Sequence, residues 1–414
     1  MRQKLNIGLF GFGCVGKGLY DVLEHTHGLK ANIARICVKD KNKERPIPAS
    51  YFTFDKYDIL DDDSINVIVE LIDDADSAYE IVSYALRKGK AVVSANKKMI
   101  AEHFDELLAL QKEFDVPFLY EGAACASIPV IRNLEEYYDN DLLNSIEGIV
   151  NGSTNFILTK MYNEGRDYAE VLAEAQTLGF AESNPALDVE GFDARYKLSL
   201  LAAHAFGLFI KPGDIFKYGI NTISDSDIRY AKEKGYKIKL TAHARKIGKS
   251  LGLWVVPQFI KPNHALYNID NEYNGVSVEG VFSDRQFFSG KGAGSHPTAS
   301  AVLSDISAIS YNYCYEYKKK SQEGTLNYEP GLTVKMYCRF PSGIKISDLP
   351  FENIEQSFNS PDLNYVIGNV NLADLTEGGL LERNDLFFAQ AGDEVEIRNV
   401  PEFVDENKVF EIAL

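Results

Sequence analysis

From Asp188 to Lys197 the chain places three acids and a lysine within ten residues. The stretch stands at the edge of an apolar run, Leu198 to Ile210, that reads as a buried helix. Asp193 and Lys197 are four apart and share a face of such a helix. A lysine held beside a carboxylate at the mouth of a core helix is a candidate proton donor. In isolation the same spacing reads more readily as a solvated salt bridge capping the helix. The rest of the chain has to decide between the two.

The elements that would position these groups begin at the N-terminus. Asn6 to Phe10 reads as a buried strand, and Gly11-Phe-Gly-Cys-Val-Gly16 then turns into a helix running through Leu23. Ile33 to Val38, Ile65 to Ile72, Ala91 to Ser94 and Phe118 to Tyr120 are further short strands, with a helix over Ser77 to Lys88. Short β-branched runs alternating with helices indicate a parallel sheet with crossover helices. In that setting the GxGxxG has its expected context. Gly11 makes the tight turn, Gly13 admits a pyrophosphate, and Gly16 lets the helix lie close to the strand. Phe12, Cys14 and Val15 complete the loop, and the helix N-terminus offers free N–H groups to phosphate. The second strand ends in Val38-Lys39-Asp40-Lys41 rather than in an acid alone. Lys39, with Lys41 or Lys43 nearby, suits a ribose phosphate, which favours NADP over NAD, although Asp40 blurs the distinction.

Farther along, Pro129 to Tyr138 and Tyr236 to Ala244 read as helices. Ile146 to Val150, Leu253 to Ile260, Gly275 to Val281 and Gln286 to Ser289 read as strands, followed by a helix over Thr298 to Ser310. Lys318 to Gly324 is a polar, loop-like linker. Beyond it, Thr333 to Phe340 and Tyr365 to Leu372 are strand candidates and Phe351 to Phe358 a helix. The fold class is therefore α/β: an N-terminal Rossmann-type doubly wound parallel sheet, an α+β catalytic and dimerisation domain, and a small C-terminal α/β module. The expected boundaries are 1–125, 126–297 and 325–414, with helix 298–312 returning to the first domain.

Composition narrows the function further. Forty-three basic against sixty acidic residues leave a net charge of −17, which argues against a nucleic-acid or anionic-membrane surface. Any phosphate must be held by a local site. Five scattered cysteines without CxxC pairing read as a reducing compartment with neither disulfide framework nor zinc site. The strand pattern begins by Leu5, leaving no room for a signal peptide, and the longest apolar run is too short to span a bilayer. The expectation is a soluble cytoplasmic protein with no membrane or nucleic-acid partner.

With these residues on the page, the chain resembles homoserine dehydrogenases over roughly residues 5 to 310. The motifs that carry the likeness are Gly8 to Gly16, Ser94-Ala-Asn-Lys97, Asn151-Gly-Ser-Thr-Asn155, Ala181-Glu-Ser-Asn-Pro185, Asp188 to Lys197, and Gly292-Ala-Gly294 with Pro297-Thr-Ala299. The resemblance implies hydride transfer between L-homoserine and L-aspartate 4-semialdehyde with NADP, or NAD, on the route to threonine, methionine and isoleucine. It implies a small amino-acid substrate and a homodimer. It gives Lys197 the proton-donor role, with Asp193 orienting the reacting hydroxyl or the lysine. Hydride addition leaves negative charge on oxygen, so a cation or proton donor beside that oxygen is what the chemistry requires.

By the same resemblance Glu182 and Asp188 hold the substrate ammonium, and the backbone at Gly152 and Ser153 approaches the substrate. Lys97, which alone would read as a surface lysine, lies by nicotinamide and substrate. Ile72, Ala95, Gly179, Gly292 and Gly294 join the cofactor contacts. Glu121, Ala124, Ala126 and Ile128 are implied as ligands of a monovalent cation, sodium or potassium, mostly through backbone oxygens. The chain departs from the family pattern at Asp73-Asp74, Phe180, Asn184 and Cys125-Ala-Ser127. Two alternatives stand beside the leading one: a related amino-acid dehydrogenase with a shifted substrate, and a catalytically silent NADP-binding sensor. Thr333 to Phe340 resembles the first strand of an ACT domain, but Pro341-Ser-Gly does not reproduce that family's turn. A diverged ACT-like module and a structural appendage both remain open, and the expectation is a monofunctional enzyme without the N-terminal kinase of fused relatives.

Overall fold

The computed structural model describes residues 4–140, 142–181, 183–321 and 326–397. These fall into two compact units that divide between Tyr328 and Glu329. The first unit opens with β1 (Leu5–Phe10), α1 (Cys14–Glu24), β2 (Ala31–Cys37), β3 (Phe52–Thr53), α2 (Tyr57–Leu60), β4 (Val67–Glu70), α3 (Ala75–Arg87) and β5 (Ala91–Ser94). It continues with α4 (Lys97–Glu102), α5 (Phe104–Phe114) and β6 (Phe118–Leu119). The six strands make a wholly parallel sheet in the order β3-β2-β1-β4-β5-β6. Strands β4 and β5 are buried throughout, as a sheet covered on both faces requires. The order reverses between β1 and β4, which opens a crevice at their carboxyl ends, the usual ligand position in such sheets.

The same unit then adds α6 (Val130–Glu136), β7 (Leu143–Ile149), α7 (Gly152–Glu164), α8 (Tyr168–Thr177), α9 (Ala186–Val189) and α10 (Phe192–Phe206). After these come β8 (Phe216–Lys217), α11 (Asp225–Glu233), β9 (Lys237–Ile247), β10 (Ser250–Ile260), β11 (Tyr273–Gly280), β12 (Asp284–Lys291), α12 (Ser295–Ile309) and β13 (Asn327–Tyr328). Strands β12-β11-β7-β9-β10 are neighbours in an antiparallel sheet, with β8 and β13 pairing in parallel on β10. Helix α12 packs on α1, and Ser295 donates its hydroxyl to the Cys14 carbonyl at 2.7 Å.

Residues 237–247 correct the helix expected over Tyr236 to Ala244. They alternate Lys239, Thr241 and His243 with Ile238, Leu240 and Ala242, a period of two that pairs β9 with β7 and β10. Alanine and lysine are good helix formers, and their propensity masked that alternation. The run Leu198 to Ile210 is helical only as far as Phe206, where Gly207 at φ +69° ends α10. The linker expected from Lys318 begins as a short 3₁₀ turn, Lys318–Ser321, and its remainder lies outside the described residues.

The second unit holds β14 (Leu332–Arg339), β15 (Phe351–Asn359), β16 (Asn364–Asn371), α13 (Leu372–Glu377) and β17 (Phe387–Ile397). Here the helix expected over Phe351 to Phe358 is strand β15, paired antiparallel with β16. Its Glu and Gln favour a helix in isolation, but the pairing with β16 overrides them. The order β17-β14-β16-β15 is antiparallel throughout. A β-α-β-β-α-β module would have this sequence of strands, yet β14 and β15 are joined without an α-helix.

The α1–α12 contact sets a steric test. A Cβ at Gly18 would come within 2.7 Å of the Ser295 carbonyl oxygen. Gly18→Ala should therefore lower stability by about 1–3 kcal/mol in denaturant or thermal unfolding. Unchanged stability would mean that the two helices do not meet this closely.

Candidate active site

Helix α10 starts at Gly191, whose φ of +83° lets the chain turn sharply out of α9. This brings Asp193 into the first turn of a helix that is apolar nearly all round and is therefore buried. Asp193 is 5% exposed and Lys197 7%. Lys197 Nζ lies 2.8 Å from Asp193 Oδ2 and donates to the Val150 carbonyl at 2.7 Å. Lys97 Nζ lies 3.0 Å from the other carboxylate oxygen, Oδ1. Asn151 Nδ2 adds donors to Asp193 Oδ2 at 2.9 Å and to Asp188 Oδ1 at 2.7 Å. The solvated salt bridge is excluded: this pair is buried, with Lys197 also bonded to the Val150 carbonyl and Asp193 to Lys97 and Asn151.

Burial alone would raise the carboxyl of Asp193. The Lys197 and Lys97 ammonium groups and the Asn151 amide outweigh it and hold the group well below the usual carboxylate range. Asp188 goes the other way, raised by burial and by the neighbouring Asp193 charge. Lys97 is raised, mainly by the Asp193 charge.

The parallel sheet places Lys97. Asn96 caps α4 by accepting the Met99 N–H and donates Nδ2 to the Ile72 carbonyl at 3.1 Å. Its own N–H goes to Ser94 Oγ, and the Ser94 hydroxyl goes to the Glu70 carboxyl. Glu70 also accepts the Ile72 N–H at 2.7 Å. Glu70 is fully buried at the end of β4, and desolvation raises its carboxyl to about 7.

Two cavities that share lining residues lie here, and the smaller meets this cluster. One of about 360 Å³ is lined by Lys97, Asp188, Asp193 and Lys197 together with Ala95, Ala124, Ala126, Gly152, Ser153, Gly292 and Gly294. The other, about 890 Å³, is lined by Gly11, Phe12, Gly13 and Lys39. Cys14, Val15 and Ile72 line both, as does Asp73, one of the departures from the family pattern. The glycine loop suits a pyrophosphate. Gly11 sits at φ +95° with a Cβ position 2.4 Å from the Leu71 carbonyl oxygen, while Gly13 faces open space. Gly16 is inside α1, its Cβ position 2.4 Å from the Gly11 carbonyl oxygen, and lines neither cavity.

Other expected residues stand apart. Gly179 occupies an exposed turn at φ +77° and lines neither cavity. Glu182 lies outside the described residues. Glu121 turns its carboxylate to the start of α6, accepting from Ile131 N at 2.9 Å and Arg132 N at 2.8 Å. Ile128 donates its N–H to the Cys125 carbonyl and lines neither cavity. Among the described residues no three His, Cys, Asp or Glu side chains gather as metal ligands; carbonyl ligands would leave no such cluster. Phe180 is held by the Ser153 hydroxyl, which donates to its carbonyl, and by its ring against Phe156.

The sequence did not single out Asn151, the Val150 carbonyl, Glu70, Asn96 or Arg45. Arg45 lines the larger cavity with Lys39 and Lys43, its guanidinium 5.0 Å above the Phe52 ring. Asn151 and Asn96 each carried one readable signal, an Asn just ahead of a helix. Glu70 carried another, a lone acid in an apolar strand.

Known proteins resemble this chain over most of its length. The family model for the homoserine dehydrogenase NAD binding domain matches residues 11–121, and that for homoserine dehydrogenase matches residues 129–307. The homoserine dehydrogenase of Bacillus subtilis (strain 168) is 39% identical over 319 residues, 75% of this chain and 74% of that protein. That of Neisseria gonorrhoeae is 38% identical over 312 residues, 73% of this chain and 72% of its own length. A crystal structure of a homoserine dehydrogenase from Thiobacillus denitrificans superposes with a TM-score of 0.84 at 28% identity, covering 95% of this chain and all of that one. A hyperthermophilic archaeal homoserine dehydrogenase in complex with NADPH reaches 0.66 at 27% identity, over 76% of this chain and 99% of the other.

Glu70 gives a pH test. Its folded carboxyl sits at about 7, against roughly 4.3 unfolded, so the native state binds the extra proton between those values. Its contribution to stability is full below about pH 4 and is lost as pH rises through 7. Glu70→Gln, which mimics the protonated form, should gain on the parent by about 1–3 kcal/mol between roughly pH 5 and pH 8 in denaturant titrations. Parallel curves for the two proteins would show that Glu70 is ionised in the fold.

Proposed function

The chain belongs to the homoserine dehydrogenase family, and on that premise we propose how its residues divide the work. The reaction interconverts L-homoserine and L-aspartate 4-semialdehyde with a nicotinamide cofactor. The reduced cofactor, when bound, supplies the hydride that reaches the aldehyde carbon. Lys197 gives a proton to the aldehyde oxygen as negative charge builds there, and takes it back in the oxidising direction. Asp193 orients that lysine. The observation that carries this assignment is the buried pair itself, 2.8 Å apart at the wall of a cavity. Membership of the family favours this reading over a silent cofactor sensor and over a shifted substrate.

Asp188 and Glu182 receive the substrate ammonium. The free N–H groups at the start of α7, Gly152 and Ser153, suit its carboxylate. Lys97 stands between the substrate and the nicotinamide end. The glycine loop Gly11 to Gly16 holds the pyrophosphate, with Ile72, Ala95, Gly292 and Gly294 toward the nicotinamide, and Gly179 on the loop that closes over it.

We assign NADP as the preferred cofactor. Lys39, Lys43 and Arg45 all line the larger cavity, where a ribose phosphate would find these cations beside Asp40 and Asp74. The relative in complex with NADPH supports the same choice. Glu121, Ala124, Ala126 and Ile128, mostly through backbone oxygens, would hold a monovalent cation, sodium or potassium. A homodimer fits strands β11 and β12, which expose Tyr273 and Phe287, with Val281 and Phe282 exposed in the turn between them. Free, scattered cysteines suit the cytoplasm.

Two measurements test the assignment. Lys197→Ala should keep cofactor affinity while homoserine oxidation, followed by nicotinamide absorbance, falls roughly 10²–10⁴-fold; full turnover would remove Lys197 from the proton step. The double change Lys39→Ala, Lys43→Ala should raise KM for NADP about tenfold or more and leave KM for NAD nearly unchanged. Equal effects on both cofactors would mean that these lysines do not read the phosphate.

A further inference from the structure

We propose that Asn151 is a positioning residue for the reaction, its side-chain amide clamping Asp188 and Asp193 side by side so that Asp193 stays aimed at Lys197. The inference rests on the reading that Lys197 and Asp193 carry the proton transfer. Asn151 is 4% exposed and sits directly before α7. Its Oδ1 accepts the Thr154 N–H at 2.8 Å and the Thr154 hydroxyl at 2.9 Å. Both partners are donors, so Oδ1 and Nδ2 cannot exchange places, and Nδ2 must face the carboxylates. It places one N–H on Asp188 Oδ1 at 2.7 Å and the other on Asp193 Oδ2 at 2.9 Å.

Capping a helix needs only an acceptor, and Asp, Ser or Thr would serve as well. A cap that also donates two hydrogen bonds to two separate anions exceeds that need. Asn alone meets both demands: Asp has no donor, Ser and Thr are too short to span both carboxylates, and Gln is one methylene too long. The adjoining residue completes the clamp, since the Val150 carbonyl receives Lys197 Nζ at 2.7 Å. Two consecutive residues, fixed to the start of α7, thus grip both members of the Asp193–Lys197 pair. Ground-state repulsion between Asp188 and Asp193 is offset locally, and the pair is held in register before substrate arrives.

The charged and titratable groups around these carboxylates are Lys97 from α4, Lys197 from α10, Asp73 beyond Lys97, and the buried Cys125 thiol with Glu121 behind it. Exchanging the amide for another acceptor removes two donors from the middle of this group, which should raise the protonation range of the carboxylates.

The test uses the full chain with Asn151→Asp, which keeps the cap acceptor and the shape but turns the donor into a third carboxylate. The expected result is unchanged affinity for the reduced cofactor, kcat/KM for homoserine lower by roughly tenfold to a hundredfold, and the acid limb of its pH profile moved upward. Asn151→Ser caps without adding charge and should show the same loss with a smaller movement of the acid limb. Parental kcat/KM and pH profile in either folded variant would overturn the inference. Should those variants be parental while Lys197→Ala is inactive, only the role of Asn151 falls. Should Lys197→Ala keep full turnover, the underlying assignment falls first.

Discussion

Everything around the site answers to one constraint: the carboxylate of Asp193 is ionised inside the protein. An isolated charge there would cost several kcal/mol in lost hydration. It is tolerated because three donors converge on it, two ammonium groups and an amide, while the Val150 carbonyl fixes Lys197 by accepting from its Nζ. Such a network is weak evidence for stability, since well-packed apolar side chains of the same volume are often as stable or more so. Its presence at a cavity wall, with perturbed carboxylates of opposite sense in Asp188 and Asp193, marks chemistry instead.

Two architectures contribute to that network, and neither could supply it alone. The parallel sheet delivers Lys97 from the carboxyl end of β5, where open α/β sheets leave a crevice. The antiparallel sheet delivers Val150 and Asn151 from the end of β7, with α10 against β9 and β10. Glu70, Ser94 and Asn96 tie the ends of β4 and β5 together, so Lys97 stands on an ordered chain of hydrogen bonds rather than on a loose loop. Groups placed on element ends and braced from behind hold catalytic geometry better than groups on loops.

Much of this was legible in the sequence, for identifiable reasons. The first sheet announces itself because parallel strands are apolar on both faces and the glycine loop has a fixed relation to β1 and α1. Asp193 and Lys197 were legible because a helix of period 3.6 brings residues four apart onto one face. β9 and β15 read as helices because Ala and Lys in the one and Glu and Gln in the other favour a helix locally, and only the pairing with the next strand, β10 and β16, overrides that preference. Asn151 read only as part of a motif, since its donors act across 37 and 42 residues. A backbone carbonyl such as Val150 has no signature of residue type at all.

The acidity of the chain sharpens what the cofactor site must do. A net charge of −17 repels a polyanionic dinucleotide at long range. At physiological salt that repulsion is screened beyond about 8 Å, so it slows approach more than it weakens a complex once formed. A bound dinucleotide would then be held by contacts inside that distance: in the proposed site, the N–H groups at the start of α1 and the cations Lys39, Lys43 and Arg45 that line the larger cavity. Arg45 is fixed there by the carbonyls of Lys43 and Asp40, each accepting at 2.7 Å, and so does not have to be ordered when ligand arrives. Asp73 and Asp74 line the same cavity, so these cations act locally against neighbouring acids as well as against the charge of the protein as a whole.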